Sequence, residues 1–333
     1  MPVPTALAGI VNVDGLVYAI GGLSWHGNKD YSLSGAVEVY APQSNNWTSR
    51  TPIPHPTEGL LVAVANGLIY AIGGTSSFGN ENSTWVYNPQ NDTWRPRAAM
   101  STYDSSLARS PDQVAVVGEN IYIFDQSEGS IGPNRPNDPK PMFNLVYDVA
   151  TDTWAHWPAL LTTGARGNPI SLAGDSMVAI GSRILVIGGN DMGLWCTGQC
   201  SVDTNLSQIT KYNFEYDTVT GQWSRRMDMP TGRYGLVTAN LDGTIYAIGG
   251  VASTANSPFP LTTGYSDHNE AYTPCSGFCP PFQPSSAPPY LMWTLEGIAT
   301  LAVAGIGVVI WRTWRKHRQR PPIRPLDPIR SRT

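Results

Sequence analysis

The chain has 333 residues, with 33 Gly, 28 Pro and charged side chains at only 14%. That composition fits a turn-rich β fold, and a repeat array of this size is one domain. The net charge of −4 conceals an asymmetry. Residues 312–333 hold eight of the 21 Lys and Arg and one of the 25 acids, Asp327, which leaves thirteen bases against twenty-four acids elsewhere. So acidic a body is a poor nucleic-acid binder.

The first element of the chain recurs. Asp-Gly-Leu-Val-Tyr-Ala-Ile-Gly-Gly at 14–22 returns at 66–74 (Asn-Gly-Leu-Ile-Tyr-Ala-Ile-Gly-Gly) and 242–250 (Asp-Gly-Thr-Ile-Tyr-Ala-Ile-Gly-Gly), with weaker copies at 118–126 and 181–189. Equivalent positions Tyr18, Tyr70, Tyr122, Leu185 and Tyr246 are 52, 52, 63 and 61 residues apart. A phrase at such a period signals an array. A second phrase, Tyr followed seven residues later by Trp, comes after the first four copies: Tyr40 and Trp47, Tyr87 and Trp94, Tyr147 and Trp154, Tyr216 and Trp223. Tyr272 has Cys279 at that distance. The residues between are turn formers, so each unit reads as a hairpin.

Two hairpins per repeat predict four-stranded antiparallel sheets over about 6–50, 59–97, 112–157, 170–226 and 234–280. One such sheet cannot bury both faces alone, so the sheets stack around an axis as a β-propeller. The di-glycine, the Tyr-x6-Trp pair and the roughly 50-residue period resemble the kelch repeat. The expected fold is therefore all-β, a kelch-type propeller of five blades, or six if a first blade precedes this start. Blade 3 departs from the pattern, with Asp125 and Gln126 in place of the glycines. The framework residues recur once per blade, which suits packing of blade on blade and not catalysis.

Strand alternation puts the short 1–2 and 3–4 turns on one face and the long 2–3 and 4–1 connections on the other. Trp25, Phe78, Trp195 and Phe259 fall in 2–3 connections. Large aromatics on irregular loops over a rigid scaffold suit a binding surface, or they pack the loops down.

Beyond a Pro/Ser-rich linker (281–289), residues 290–311 read as a transmembrane helix, uncharged from 297 to 311 and flanked by Tyr290, Trp293, Trp311 and Trp314. A buried core helix is the alternative, but a propeller has no place for one. The basic tail 312–333 is expected in the cytosol and the propeller outside or in a lumen. Four Asn-x-Ser/Thr triplets, at Asn46, Asn82, Asn91 and Asn205, agree with export as N-glycosylation sites. So do two Cys-x3-Cys pairs, Cys196/Cys200 and Cys275/Cys279, read as disulfide candidates with connectivity open and zinc as the alternative. No signal peptide is visible at Met1–Ile10. Either residues precede this start, or the C-terminal span is itself the targeting signal.

Some kelch-type oxidases hold copper with His and Tyr. His26, His55, His156, His268 and His317 show no paired spacing, and the iron motif of kelch specifier proteins, Glu-x3-Asp-x3-His, is missing. No Gly-x-Ser-x-Gly elbow or phosphate loop occurs either. No catalytic residue, cofactor or metal is therefore expected. The favoured reading is a membrane-anchored recognition module with a protein or glycan partner. The alternative is an accessory factor or enzyme acting on a small molecule, because the chain is similar to membrane-anchored fungal kelch proteins, some encoded beside secondary-metabolite enzymes.

Overall fold

The computed structural model describes residues 1, 4–27, 30–101, 113–124, 144–160, 172–191, 194–196, 200–202, 208–252, 264–267, 269–274 and 283–284. Among them are five meander sheets with four strands in sequence order; the fourth gains a short extra strand, Gln208–Ile209. Sheet 1 comprises Gly9–Val13, Leu16–Ile20, Val37–Ala41 and Asn46–Arg50, and sheet 2 comprises Leu61–Ala65, Leu68–Ile72, Thr84–Asn88 and Thr93–Arg97. Sheet 3 runs through Gln113–Val117, Asn120–Phe124, Leu145–Asp148 and Thr153–His156. Sheet 4 runs through Leu172–Ile180, Arg183–Asp191, Asn213–Asp217 and Gln222–Arg225. Sheet 5 comprises Val237–Leu241, Thr244–Ile248, Asn269–Tyr272 and Gln283–Pro284, so it extends past residue 280. Its outer strand pairs opposite Ala271 and Glu270, where an edge position tolerates Pro284.

The repeated phrases dictate this geometry locally. Asp14-Gly15, Asn66-Gly67 and Asp242-Gly243 join strands 1 and 2, and all six residues have φ between 50° and 81°. A two-residue hairpin loop of the twist-matched kind needs positive φ at both positions, which Asx-Gly supplies. The di-glycine after strand 2 meets a second demand. A Cβ on Gly21 would lie 2.5 Å from the Thr57 carbonyl and from Leu60 of the next sheet, so backbone passes where a side chain would be.

The cores lie between sheets. One cluster joins sheets 1 and 2 through Tyr18, Ile20, Val39, Val62, Ile69 and Tyr87, and another joins sheets 2 and 3 through Tyr70, Ile72, Val86, Ile121, Leu145 and Tyr147. The third is aromatic: Tyr122, Phe124, Trp157, Tyr216 and the partly buried Trp223 meet between sheets 3 and 4. The fourth joins Leu185, Ile187, Ile245, Ala247 and Tyr272. First strands pack on first strands from sheet 1 through to sheet 5. Among the described residues no such core joins sheet 5 to sheet 1. Tyr40 is half-buried where its counterparts Tyr87 and Tyr147 are fully buried, and Tyr246 is half-buried where Tyr18 and Tyr70 are buried.

The Tyr-x6-Trp pairs form the expected framework. In all four pairs Tyr and Trp are direct partners across the ladder, with ring centroids 5.0, 4.9, 5.0 and 5.2 Å apart. The pairs of sheets 2, 3 and 4 clamp the preceding sheet through the Trp indole. The Trp94 indole N–H donates to the Thr51 carbonyl at 2.9 Å, and the Thr51 amide donates to Asp92 Oδ1 at 2.9 Å. The Tyr87 hydroxyl donates to the same oxygen at 2.6 Å. Trp154, Asp152 and Tyr147 hold Ala98 in the same way. Burial and the bond to its Asp raise each of these Tyr pKa values, and the Tyr hydroxyl holds each Asp carboxyl below its usual range.

Candidate interaction surface

The long-connection face is built more regularly than expected. Trp25 does not lie on an irregular loop, because Leu23–Gly27 and Asp30–Leu33 form a hairpin with Thr5–Ala6 on its far side. The short stretch alternates in the strand manner and brings Trp25 directly opposite Tyr31. The two rings meet edge-on, centroids 4.6 Å apart, yet remain 43% and 55% exposed. Behind them His26 Nε2 contacts Ser32 Oγ at 2.7 Å. In sheet 2 the same connection makes a miniature hairpin, Thr75–Ser76 with Gly79–Asn80. Its tip holds Phe78 out at 97% exposure, fixed by a bond from the Phe78 amide to Ser76 Oγ.

Among the described residues, the exposed large apolar side chains are Met1, Leu7, Trp25, Tyr31, Phe78 and Val219. All but Val219 come from segments that precede strand 1 or join strands 2 and 3 of the first two sheets. The sequence flagged Trp25 and Phe78 but missed Tyr31 and Leu7. The alternation around Trp25 was the signal for Tyr31. In sequence the segments 1–8, 21–36, 51–60 and 73–83 hold three acids, Asp30, Glu58 and Glu81, against one base, Lys29.

The other expected residues are dispersed. Leu194–Cys196 and Cys200–Val202 form a hairpin in which Cys196 and Cys200 are direct partners, bringing that pair together along the backbone. Trp195 is on the same strand. Phe259, Asn205, Cys275, Cys279 and His268 lie outside the described residues, as do 285–289, the span 290–311 and the tail with His317. Among the described residues no helix is long and apolar enough to cross a membrane. Asn46 and Asn91 are exposed, and Thr93 Oγ1 donates to Asn91 Oδ1 at 2.6 Å. Asn82 is different: its Nδ2, the atom a glycan would join, donates to the Met100 carbonyl at 2.9 Å.

His55 packs edge-on to Trp85, centroids 5.6 Å apart, while His156 is exposed on an outer strand. Among the described residues no three His, Cys, Asp or Glu cluster as a metal site would require. A small recess between sheets 2 and 3, lined by Leu61, Ile72, Met100 and Ile123 with three glycines, holds no titratable group.

The comparisons with known proteins agree with this architecture. A model described as the Kelch motif matches residues 4–54 and 56–101, which are sheets 1 and 2 with their connections. The chain carries kelch repeats. This kelch chain is 24% identical over 257 residues to Kelch-like protein 36 of Bos taurus, covering 77% of itself and 37% of that protein. It is 23% identical over 262 residues to Kelch-like protein terF of Aspergillus terreus, covering 75% of itself and 51% of that protein. It thus spans between a third and about half of the length of these two relatives. The solved structure of YjhT aligns with a TM-score of 0.58 at 14% identity, over 81% of this chain and 82% of that one. The likeness to YjhT carries the propeller fold alone.

Proposed function

We propose that this kelch propeller is a membrane-anchored protein-interaction module whose docking surface is the long-connection face over sheets 1 and 2. The observation that carries the reading is the concentration there of Trp25, Tyr31 and Phe78, exposed on hairpins held by a rigid sheet, with Leu7 exposed just before strand 1. Aromatic anchors on a preformed surface are what partner recognition requires. Membrane anchoring rests on the sequence, through the apolar span 290–311 and the basic tail after it. In this reading the propeller is extracellular or lumenal, with Asn46 and Asn91 as its glycan acceptors and Asn82 withdrawn into structure.

Three experiments test it. Proteins cross-linked to the wild-type chain in its native membrane should be lost from the Trp25→Ser/Phe78→Ser variant, with the melting temperature unchanged. Retention of the same partners overturns the surface. Alkaline carbonate should leave the full chain in the membrane pellet and release a chain ending at 289. Glycosidase should raise the gel mobility of wild type but not of Asn46→Gln/Asn91→Gln. An unglycosylated protein with its propeller open to cytosolic protease overturns the topology.

A further inference from the structure

The hairpin of sheet 1 offers more than two exposed rings. Asp30–Leu33 is the end strand of its small sheet, and none of the described residues pairs along its outer edge. Its register says which groups are free. The Ser34 amide donates to the Gly22 carbonyl at 2.8 Å, so the hydrogen-bonded positions facing Leu23–Gly27 are Ser34 and Ser32. The amides and carbonyls of Tyr31 and Leu33 therefore point out of the edge. On the far side of the hairpin the Trp25 amide is spent on the Pro4 carbonyl at 3.1 Å. An edge that no described residue pairs, with two outward donor–acceptor pairs, is a template for one more strand.

The rings and the charge define what that strand carries. Trp25 and Tyr31 occupy a non-hydrogen-bonded pair, the closer of the two cross-strand spacings, and so present one continuous aromatic surface beside the edge. A guanidinium or ammonium over an indole or phenol face is attracted by the ring quadrupole. The surrounding segments carry three acids against one base, within a body of twenty-four acids against thirteen bases. We infer that the edge Asp30–Leu33 takes an extended, arginine-bearing segment of a partner protein as an added strand, with its basic side chain over Trp25 and Tyr31. This rests on the docking surface proposed above and names the chemistry of its occupant.

The test uses the full chain in detergent micelles and a phage-displayed library of random nine-residue peptides. Selection should enrich extended, proline-free sequences that carry Arg flanked by aliphatic residues. Synthetic versions should bind at least tenfold more weakly to Trp25→Ser/Tyr31→Ser. They should also weaken on replacing Arg with citrulline and on N-methylation of alternate backbone amides. Raising salt from 50 to 300 mM should weaken them several-fold. Acidic, proline-rich or helical consensus sequences, no enrichment, or binding indifferent to N-methylation overturns the strand-addition proposal. If native partners are still lost from Trp25→Ser/Phe78→Ser, the docking surface survives and only this inference fails.

Discussion

The seams on either side of sheet 2 and the seam between sheets 4 and 5 solve one problem by different chemistry. At sheets 2 and 3 the leading edge carries Tyr, Asp and Trp, and together they grip the amide and carbonyl of one residue after the preceding sheet's last strand, Thr51 or Ala98. Sheet 5 has Tyr272 but no paired Trp, and charged groups stand nearby instead. Glu215 of sheet 4 is buried between Arg226, at 2.6 Å, and Arg183, at 3.5 Å. Arg233, fully buried just before sheet 5, bonds Glu270 at 3.0 Å and also meets the Ala247 and Gly249 carbonyls. Burial pulls the Arg233 pKa down and Glu270 opposes that pull. An apolar seam tolerates truncation in proportion to what it loses, whereas a buried ion pair fails when one member goes.

The largest expected effect is therefore at Arg233. Arg233→Leu leaves Glu270 buried and unpaired, which costs about 3–5 kcal/mol. Adding Glu270→Leu should recover much of that loss in chemical denaturation. A double variant no more stable than the single one breaks the contrast between the seams.

Next comes Trp94→Ala, which removes a half-buried ring and its bond to Thr51. A fully buried aromatic costs about 3–5 kcal/mol, and the exposed part of this ring lowers the expectation to about 2–3 kcal/mol. Trp25→Ala should stay within about 0.5 kcal/mol, as a surface change away from the core does. Similar midpoint shifts for the two would abolish the division between framework and surface aromatics.

A smaller effect is set by pH. Asp92 and Asp152 have depressed carboxyl pKa values, caused first by the Tyr87 and Tyr147 hydroxyls. Their contribution is present above the unfolded value of about 3.9 and is lost as pH falls through the lower folded value. Asp92→Asn/Asp152→Asn should lose stability at pH 6 and flatten the acid limb below about pH 4. An unchanged acid limb means these carboxylates do not govern it.

Much of the fold was legible because each demand is local. Asp14-Gly15 writes a turn, Gly21-Gly22 a close approach, and Tyr87 with Trp94 a ladder pair. Trp157 escaped as a framework residue because it sits outside the repeated phrase. Yet it is buried, stacks on Trp223 at 5.3 Å and donates to the Ile123 carbonyl at 3.0 Å. Asn144 and Asn213 escaped too. Each is fully buried and donates its side-chain amide to a carbonyl fourteen residues on, Pro158 and Met227. An Asn in a single sequence reads as turn or surface, and only the neighbouring strand shows the difference. The surface was half legible: the aromatics announced it, but the hairpin that pairs Trp25 with Tyr31 needed the register.

The smallest effect tests how the clamp is built. In sheet 4 the Trp223 indole still donates to the Pro158 carbonyl at 2.9 Å, but the position five after Tyr216 is Gly221 in place of Asp. The two departures match: Pro158 has no amide hydrogen, so no carboxylate is needed to receive one. Backbone conformation does not forbid the aspartate, since Asp92 and Asp152 have φ of 54° and 56°, close to the 70° of Gly221. Gly221→Asp alone should be close to neutral, because the new carboxylate can reach the Tyr216 hydroxyl, 3.9 Å from where its Cβ would lie, but finds no backbone amide at Pro158. Pro158→Ala alone supplies an amide without an acceptor. Together they should recreate the arrangement at Ala98 and Asp152, with a favourable coupling of about 0.5–1 kcal/mol in a double-mutant cycle. Zero coupling would mean that the clamp is carried by the Tyr–Trp stack and the indole bond, with the aspartate an accessory of sheets 2 and 3.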